Sequence, residues 1–231
     1  MSAAPDGGAL APASLAAMTA PPANGTPRAV VFDLGGVLLD WNPRYLYRKL
    51  FDDEAEMERF LSDVCTMEWH HAHDLGVPPE ETTPPLIAAH PDQAELIWAW
   101  TQRSEEMVGG PIEGTVEILE GLRAQAIPCY ALTNMETWTY PGRRERFPFL
   151  SWFDGTVVSG FEGMAKPDVR VFELLLERFG LDAADTAFID DSAANVEAAR
   201  RAGLQAVLFE SPEHLRRWLE DAGLSLPLPR P

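Results

Sequence analysis

Cysteine is nearly absent, with only Cys65 and Cys129 in 231 residues. Far apart in the chain, the two match neither a zinc-ligand spacing nor a disulfide framework, so buried thiols in a reducing cytoplasm are expected. Basic residues are also scarce. Lys and Arg number 18 against 36 Asp and Glu, giving a formal charge of −18 and a pI near 4.5. Binding polyanionic DNA or RNA needs clustered cations, so nucleic acid is not an expected partner. A small anionic substrate stays open, because one local pocket can oppose the overall field. No apolar run approaches the roughly 18 residues of a transmembrane helix, and a membrane is not expected as a partner either. What remains is 46% hydrophobic and 23% charged, enough for one large domain or a domain with an insertion.

Residues 1–27 are mostly Ala, Pro, Gly and Thr with a single charge, Asp6, and lack the basic start and apolar core of a signal peptide. They read as a disordered tail, with Met18 a second candidate for the first residue. Arg28 to Phe32 is then an apolar run that stops at Asp33 and Gly35-Gly36, as a buried parallel strand ending in a tight turn would. Four similar runs follow, at Ile127 to Leu132, Thr156 to Val158, Thr186 to Ile189 and Gln205 to Phe209. Helical periodicity separates them: Val116, Leu119, Leu122 and Ala126 fall on one face, as do Val169, Phe172, Leu176 and Phe179. Alternating strands and helices predict an α/β fold, a Rossmann-like open parallel sheet with helices on both faces. Residues 42–108 break the rhythm with charged helical patches, a Pro-rich stretch (Pro78, Pro79, Pro84, Pro85) and no strand, and read as an all-helical cap inserted after the first strand. The expected core is thus 28–41 and 109–222, with a C-terminal tail over 223–231.

In open parallel sheets, reactive groups gather beyond the carboxyl ends of the strands. Polar residues stand there at four places: Asp33, Thr133-Asn134, Lys166-Pro167-Asp168 and Asp190-Asp191-Ser192. Each alone has a structural explanation, since Asp33 can punctuate a turn and Asp191 or Ser192 can cap a helix. Together they would bring several carboxylates, a Thr and a Lys into one crevice, where like charges repel unless a cation offsets them.

With VVFDLGGVLLD, ALTN, GMAKPD and FIDDSAAN in this order and spacing, residues 28–222 resemble the haloacid dehalogenase superfamily. The resemblance implies a hydrolase in which Asp33 is the nucleophile and forms a covalent aspartyl intermediate. Thr133 and backbone N–H groups around Leu34, Gly35 and Asn134 would hold the transferring phosphoryl group, and Lys166 would neutralise its charge. Asp190, a carboxylate oxygen of Asp33 and the carbonyl of Gly35 would hold Mg²⁺, with Asp191 acting through a metal-bound water or by orienting Lys166.

One position departs from the superfamily's phosphatases, which usually carry a second Asp two residues after the nucleophile as general acid and base. Here it is Gly35. Either the substrate leaves easily, or another residue supplies the proton, or Asp33 attacks carbon and expels halide as in a metal-independent 2-haloacid dehalogenase. The acidic pair Asp190-Asp191 favours a Mg²⁺-dependent phosphatase of a small phosphomonoester, such as a sugar phosphate, over that alternative. A non-catalytic binding protein on the same fold is the third reading. Within the cap, Trp41, Arg44 and Tyr47 are placed to overhang the site. The run Glu68 to Asp74 contains three His but no zinc spacing. His70 and Asp74, one helical turn apart, are expected to pair or to face the pocket, with His70 a substrate contact and a substitute acid. Trp98 and Trp100 are expected in packing, Trp69 and Trp138 near the substrate, and Arg143, Arg144 and Arg146 on a solvated helix face. A small-molecule substrate is the expected partner, with the chain a monomer or homodimer.

Overall fold

The computed structural model describes residues 18–19 and 25–226. Its strands are β1 (Ala29–Phe32), β2 (Leu39–Trp41), β3 (Val108–Pro111), β4 (Cys129–Thr133), β5 (Gly155–Val158), β6 (Thr186–Asp190) and β7 (Gln205–Leu208). Five of them form one parallel sheet in the order β5-β4-β1-β6-β7. The two-residue periodicity of a strand divides their apolar side chains cleanly. Val30, Phe32, Ala131, Ala187, Ile189 and Val207 face one way, against helices α6 (Glu113–Ala124) and α11 (Pro212–Asp221). Val31, Leu132, Val157, Phe188 and Leu208 face the other, against α9 (Val169–Phe179) and α10 (Ala193–Arg201). Helices therefore cover both faces, as the alternating pattern predicts. The buried side of α9 is Val171, Phe172 and Leu175 rather than the full predicted stripe, with Val169, Leu176 and Phe179 only partly covered.

The chain leaves the sheet through β2 and returns through β3, which pair antiparallel as a two-stranded ribbon. Everything regular between them is helical: α1 (Arg44–Tyr47), α2 (Glu54–Asp63), α3 (Met67–Asp74), α4 (Pro79–Ala89) and α5 (Ala94–Gln102), with two short 3₁₀ turns. Local chemistry starts these helices. The Asp53 side chain accepts from the Glu56 N–H ahead of α2, and Thr66 does the same for the Trp69 N–H at α3. The Pro-rich stretch forms α4, which opens on Pro79 and tolerates Pro84 and Pro85 because both face solvent, where water can satisfy the carbonyls that lose a partner. The insert has its own core of Leu46, Tyr47, Met57, Phe60, Ile97 and Trp100.

Both cysteines are buried and free, and burial pushes each thiol up to about 12. No helix among the described residues is long and apolar enough to cross a membrane. The predicted N-terminal tail falls mostly outside the described residues. Met18 is within them and is buried on the α9–α10 side of the sheet, where Arg200 donates to its carbonyl. Residues 227–231 of the predicted C-terminal tail lie outside the described residues; Leu224, within them, packs against the core.

Candidate active site

Strand register sets the first two carboxylates side by side. Phe32 pairs with Ile189, so Asp33 and Asp190 follow at the same level on neighbouring strands, and the Asp33 N–H continues the ladder to the Ile189 carbonyl. Lys166 Nζ lies between them, 2.8 Å from Asp33 Oδ1 and 2.7 Å from Asp190 Oδ2. The lysine is 2% exposed and Asp190 0%, so this pairing is what permits three charges to be buried together. Burial opposes the charge on Lys166, but Asp190 and Asp33 outweigh it and raise its pKa. Burial also pushes the Asp33 carboxyl up to about 7, against the attraction of Lys166.

Other groups hold this trio in place. Asp33 Oδ1 accepts from Lys166 and from the Leu34 N–H at 2.7 Å, leaving Oδ2 as the oxygen engaged by neither. Asp190 Oδ1 accepts from the Ser192 N–H and from Asn195 Nδ2. Asn134 uses both ends of its amide on the Lys166 backbone, donating to the carbonyl and accepting from the N–H at 2.9 Å each. Ser192 stands at the start of α10 without a side-chain capping bond, so capping does not account for this motif.

Asp33, Asp190 and Asp191 can each present one oxygen within 4.8 Å of the others. Carboxylates are hard oxygen ligands suited to a divalent cation such as Mg²⁺, and the set fits one. Asp191 is exposed and its carboxylate lies against Gly36: a Cβ there, at φ +71°, would come 2.1 Å from Asp191 Oδ2. Gly35 differs, since a Cβ at that position meets nothing closer than Trp41 Cβ at 4.0 Å.

A cavity of about 240 Å³ opens above these groups. Asp33, Gly35, Gly36, Thr133, Asn134 and Asp191 form its floor; Trp41, Met67, His70, Asp74, Met135, Glu136 and Arg143 form its sides. Of the predicted residues, Leu34, Lys166 and Asp190 are buried and do not line it. Arg44 does not either. It makes two hydrogen bonds to Glu58 and lines a neighbouring hollow, which shares Trp41, Met67 and Asp191 with the cavity. Tyr47 is buried in the insert core, and Trp69 packs there on Trp100 and His73. Trp138 packs on His73 outside the cavity, so Trp41, stacked on His70 at 5.7 Å, is the aromatic wall.

Arg143 corrects the sequence reading. It is 5% exposed, its Nε has no hydrogen-bond partner, and it faces Glu105 at 3.5 Å. The helix that carries it, α7 (Tyr140–Arg146), is too short for its buried side to show as a periodic pattern. Glu136, in the loop before α7, carries no sequence signal of its own. It is 5% exposed and accepts from the Thr139 hydroxyl at 2.8 Å. Burial opposes its charge, while the Arg143 guanidinium and the Thr139 bond favour the carboxylate and lower its pKa.

His70 and Asp74 both face the cavity, with Nε2 of the first 3.7 Å from Oδ1 of the second. The Trp100 indole donates to His70 Nδ1 at 3.0 Å. An indole N–H can only donate, so Nδ1 carries the lone pair and the ring proton sits on Nε2. Burial lowers the pKa of this ring, in keeping with a neutral form. A short chain of bonds ties Asp74 to the sheet: its backbone carbonyl accepts at 2.6 Å from Ser159 Oγ, at the start of α8 (Ser159–Glu162), and Ser159 Oγ accepts from the Met135 N–H at 3.0 Å. Beside it Gly76, at φ +85°, brings the insert backbone against Gly160, and a Cβ would lie 2.4 Å from the Gly160 carbonyl oxygen.

Residues 27–203 match the family of haloacid dehalogenase-like hydrolases. The chain belongs to that family. A sesquiterpene phosphatase of Aspergillus oryzae is 28% identical over 177 residues, covering 77% of this chain and 87% of the relative. A phosphorylated carbohydrates phosphatase of Thermotoga maritima is 27% identical over 187 residues, 78% of this chain and 83% of that protein. Among solved structures, a family enzyme of Bacteroides thetaiotaomicron in complex with magnesium and inorganic phosphate superposes with a TM-score of 0.60. It is 23% identical and covers 81% of this chain and 96% of its own, a likeness of fold. The chain is thus a haloacid dehalogenase-like hydrolase with phosphatases among its relatives.

Proposed function

We propose that the protein is a Mg²⁺-dependent phosphatase acting on a small phosphomonoester, sugar phosphates included, through an aspartyl-phosphate on Asp33. The observation that carries this reading is the buried Lys166 bridging Asp33 and Asp190, with Asp191 within reach of both carboxylates. A dianionic ester entering this cavity meets Asp33, Glu136 and Asp191 in its lining against one cation, Arg143. That sign of charge repels phosphate unless a cation is added; Asp33, the Gly35 carbonyl and Asp190 would hold Mg²⁺, which would supply it. A dehalogenase expelling halide from carbon has no such need of three clustered carboxylates.

Each residue then has a definite task. Asp33 Oδ2, the oxygen left unengaged by Lys166 and Leu34, attacks phosphorus while Oδ1 stays anchored. Lys166 offsets charge on the transferring group from behind the cavity floor, and Thr133 with the backbone at Gly35 and Asn134 orients its oxygens. Asn134 also holds Lys166 by its backbone. Asp191, lying over Gly36, would help Asp33 and Asp190 hold the cation. His70 and Trp41 bound the substrate's organic part, and Arg44 lies further out, beside the neighbouring hollow. A cavity of about 240 Å³ sets the scale of that organic part to a few carbons or one sugar ring.

Phosphate release from a panel of sugar phosphates, beside halide release from 2-chloropropionate, tests the reading. Each is run with Mg²⁺ and with EDTA, with Asp33→Asn as the blank. Phosphate release that needs both Mg²⁺ and Asp33 is expected. Halide release indifferent to EDTA would replace the phosphatase with a dehalogenase.

A further inference from the structure

The general acid usual in the family's phosphatases is missing at Gly35, and a steric reason for the glycine is missing too, because a side chain there would enter open space. Four carboxyl groups line the cavity, and three are committed elsewhere. Asp33 is the nucleophile, Asp191 lies in the metal cluster against Gly36, and Glu136 is bonded to Thr139 and held as the carboxylate. His70 is a poor donor: with the Trp100 indole aimed at Nδ1, the ring is the neutral tautomer, whose Nε2–H is a very weak acid.

We infer that Asp74, brought by the helical insert, gives its proton to the leaving group and so replaces the acid absent at position 35. This rests on the phosphatase reading. Asp74 is 7% exposed and lines the same cavity as Asp33, and its backbone carbonyl is tied to the sheet through Ser159 and Met135, which fixes the end of α3 that carries it. Several charged or titratable groups surround it. His70 and His71 on its own helix stand 3.7 and 3.9 Å away, and Glu136, Arg143, Lys166 and Asp33 reach it from the sheet side. Burial and then the Glu136 charge push the Asp74 carboxyl up to about 8, with Lys166 opposing and Asp33 adding, so it keeps its proton at neutral pH.

The exchange balances. Asp33 Oδ2 bonds to phosphorus as the ester P–O bond breaks, and the Asp74 proton moves to the departing oxygen, which leaves as an alcohol. The resulting Asp74 carboxylate takes a proton from the water that attacks phosphorus. Inorganic phosphate leaves, Asp33 regains its carboxylate and Asp74 its proton.

The test compares an alkyl phosphate from the panel with p-nitrophenyl phosphate, whose phenolate departs without a proton. Asp74→Asn is expected to lower kcat on the alkyl ester by about 10²–10⁴ and by less than about 10 on the nitrophenyl ester. The alkaline limb of the alkyl-ester profile, near pH 8 in the wild type, is expected to vanish in the variant. Equal losses on both esters, a retained limb, or a leaving-group-selective loss in His70→Gln instead would overturn the assignment. Infrared difference spectra of wild type against Asp74→Asn at pH 6.5 report the proton without turnover: a protonated-carboxyl band belonging to Asp74 supports the assignment, and its absence overturns it. Loss of the phosphatase reading looks different, as a wild type that releases no phosphate from either ester.

Discussion

Gly35 and Gly36 are neighbours with opposite reasons for lacking a side chain. Gly36 needs its positive φ, and a Cβ there would enter the Asp191 carboxylate, whereas Gly35 has neither constraint. Gly36→Ala is therefore expected to cost about 1–2 kcal/mol and to weaken Mg²⁺ binding by displacing Asp191, while Gly35→Ala stays within about 0.5 kcal/mol. Urea denaturation of both variants with a Mg²⁺ titration checks this, and equal destabilisation would contradict it. Asp33, Thr133, Lys166, Asp190 and Asp191 were legible in the sequence because each stands just beyond a recognisable strand or in a motif of known order. Arg143 and Glu136 were not. They lie on a seven-residue helix and the loop before it, and no periodicity of that length tells which side chains turn inward.

Among the elements, the join between α3 and the sheet holds the most information about the site. One hydroxyl, Ser159 Oγ, both donates to the Asp74 carbonyl and accepts from the Met135 N–H, and Ser159 is 0% exposed. Ser159→Ala strands both partners and is expected to cost about 1–3 kcal/mol. Because the alanine also frees the end of α3, kcat on an alkyl phosphate should fall more than kcat on p-nitrophenyl phosphate. Thermal melting alongside the two assays measures this, and an unchanged ratio would show that α3 keeps its place without the serine. The sheet itself was readable from apolar runs to within about two residues at each end, since buried parallel strands leave continuous hydrophobic stretches. The β2–β3 ribbon was not. Its strands are three and four residues long, and Val108–Pro111 includes two glycines and a proline, so neither carries an alternating pattern.

For the molecule as a whole, a net charge of −18 makes self-repulsion a standing cost of the folded state. Salt should raise the melting temperature by screening, and MgCl₂ should raise it further at matched ionic strength, because only Mg²⁺ engages the carboxylate cluster. That additional increment is expected to disappear in Asp190→Asn. Asp74 contributes a pH dependence of definite sign. Its carboxyl rises from an ordinary value of 3.8 to about 8 in the folded protein. The folded state thus binds the extra proton, and the stability it gives is complete below about pH 4 and lost as pH rises through about 8. Melting curves from pH 5 to 9 should fall more steeply for wild type than for Asp74→Asn, and parallel curves would mean that Asp74 ionises normally.

The β2–β3 ribbon is where the chain crosses between sheet and insert, once in each direction. A graft made there, replacing residues 42–107 with the helices of another family member, would exchange the walls formed by Met67, His70 and Asp74 while keeping Asp33, Lys166, Asp190 and Asp191. On the assignment of Asp74 it would also remove the proton donor. Such a chimera would need either an acid in the incoming helices or Asp at position 35, where the open space beside Trp41 is ready to receive it.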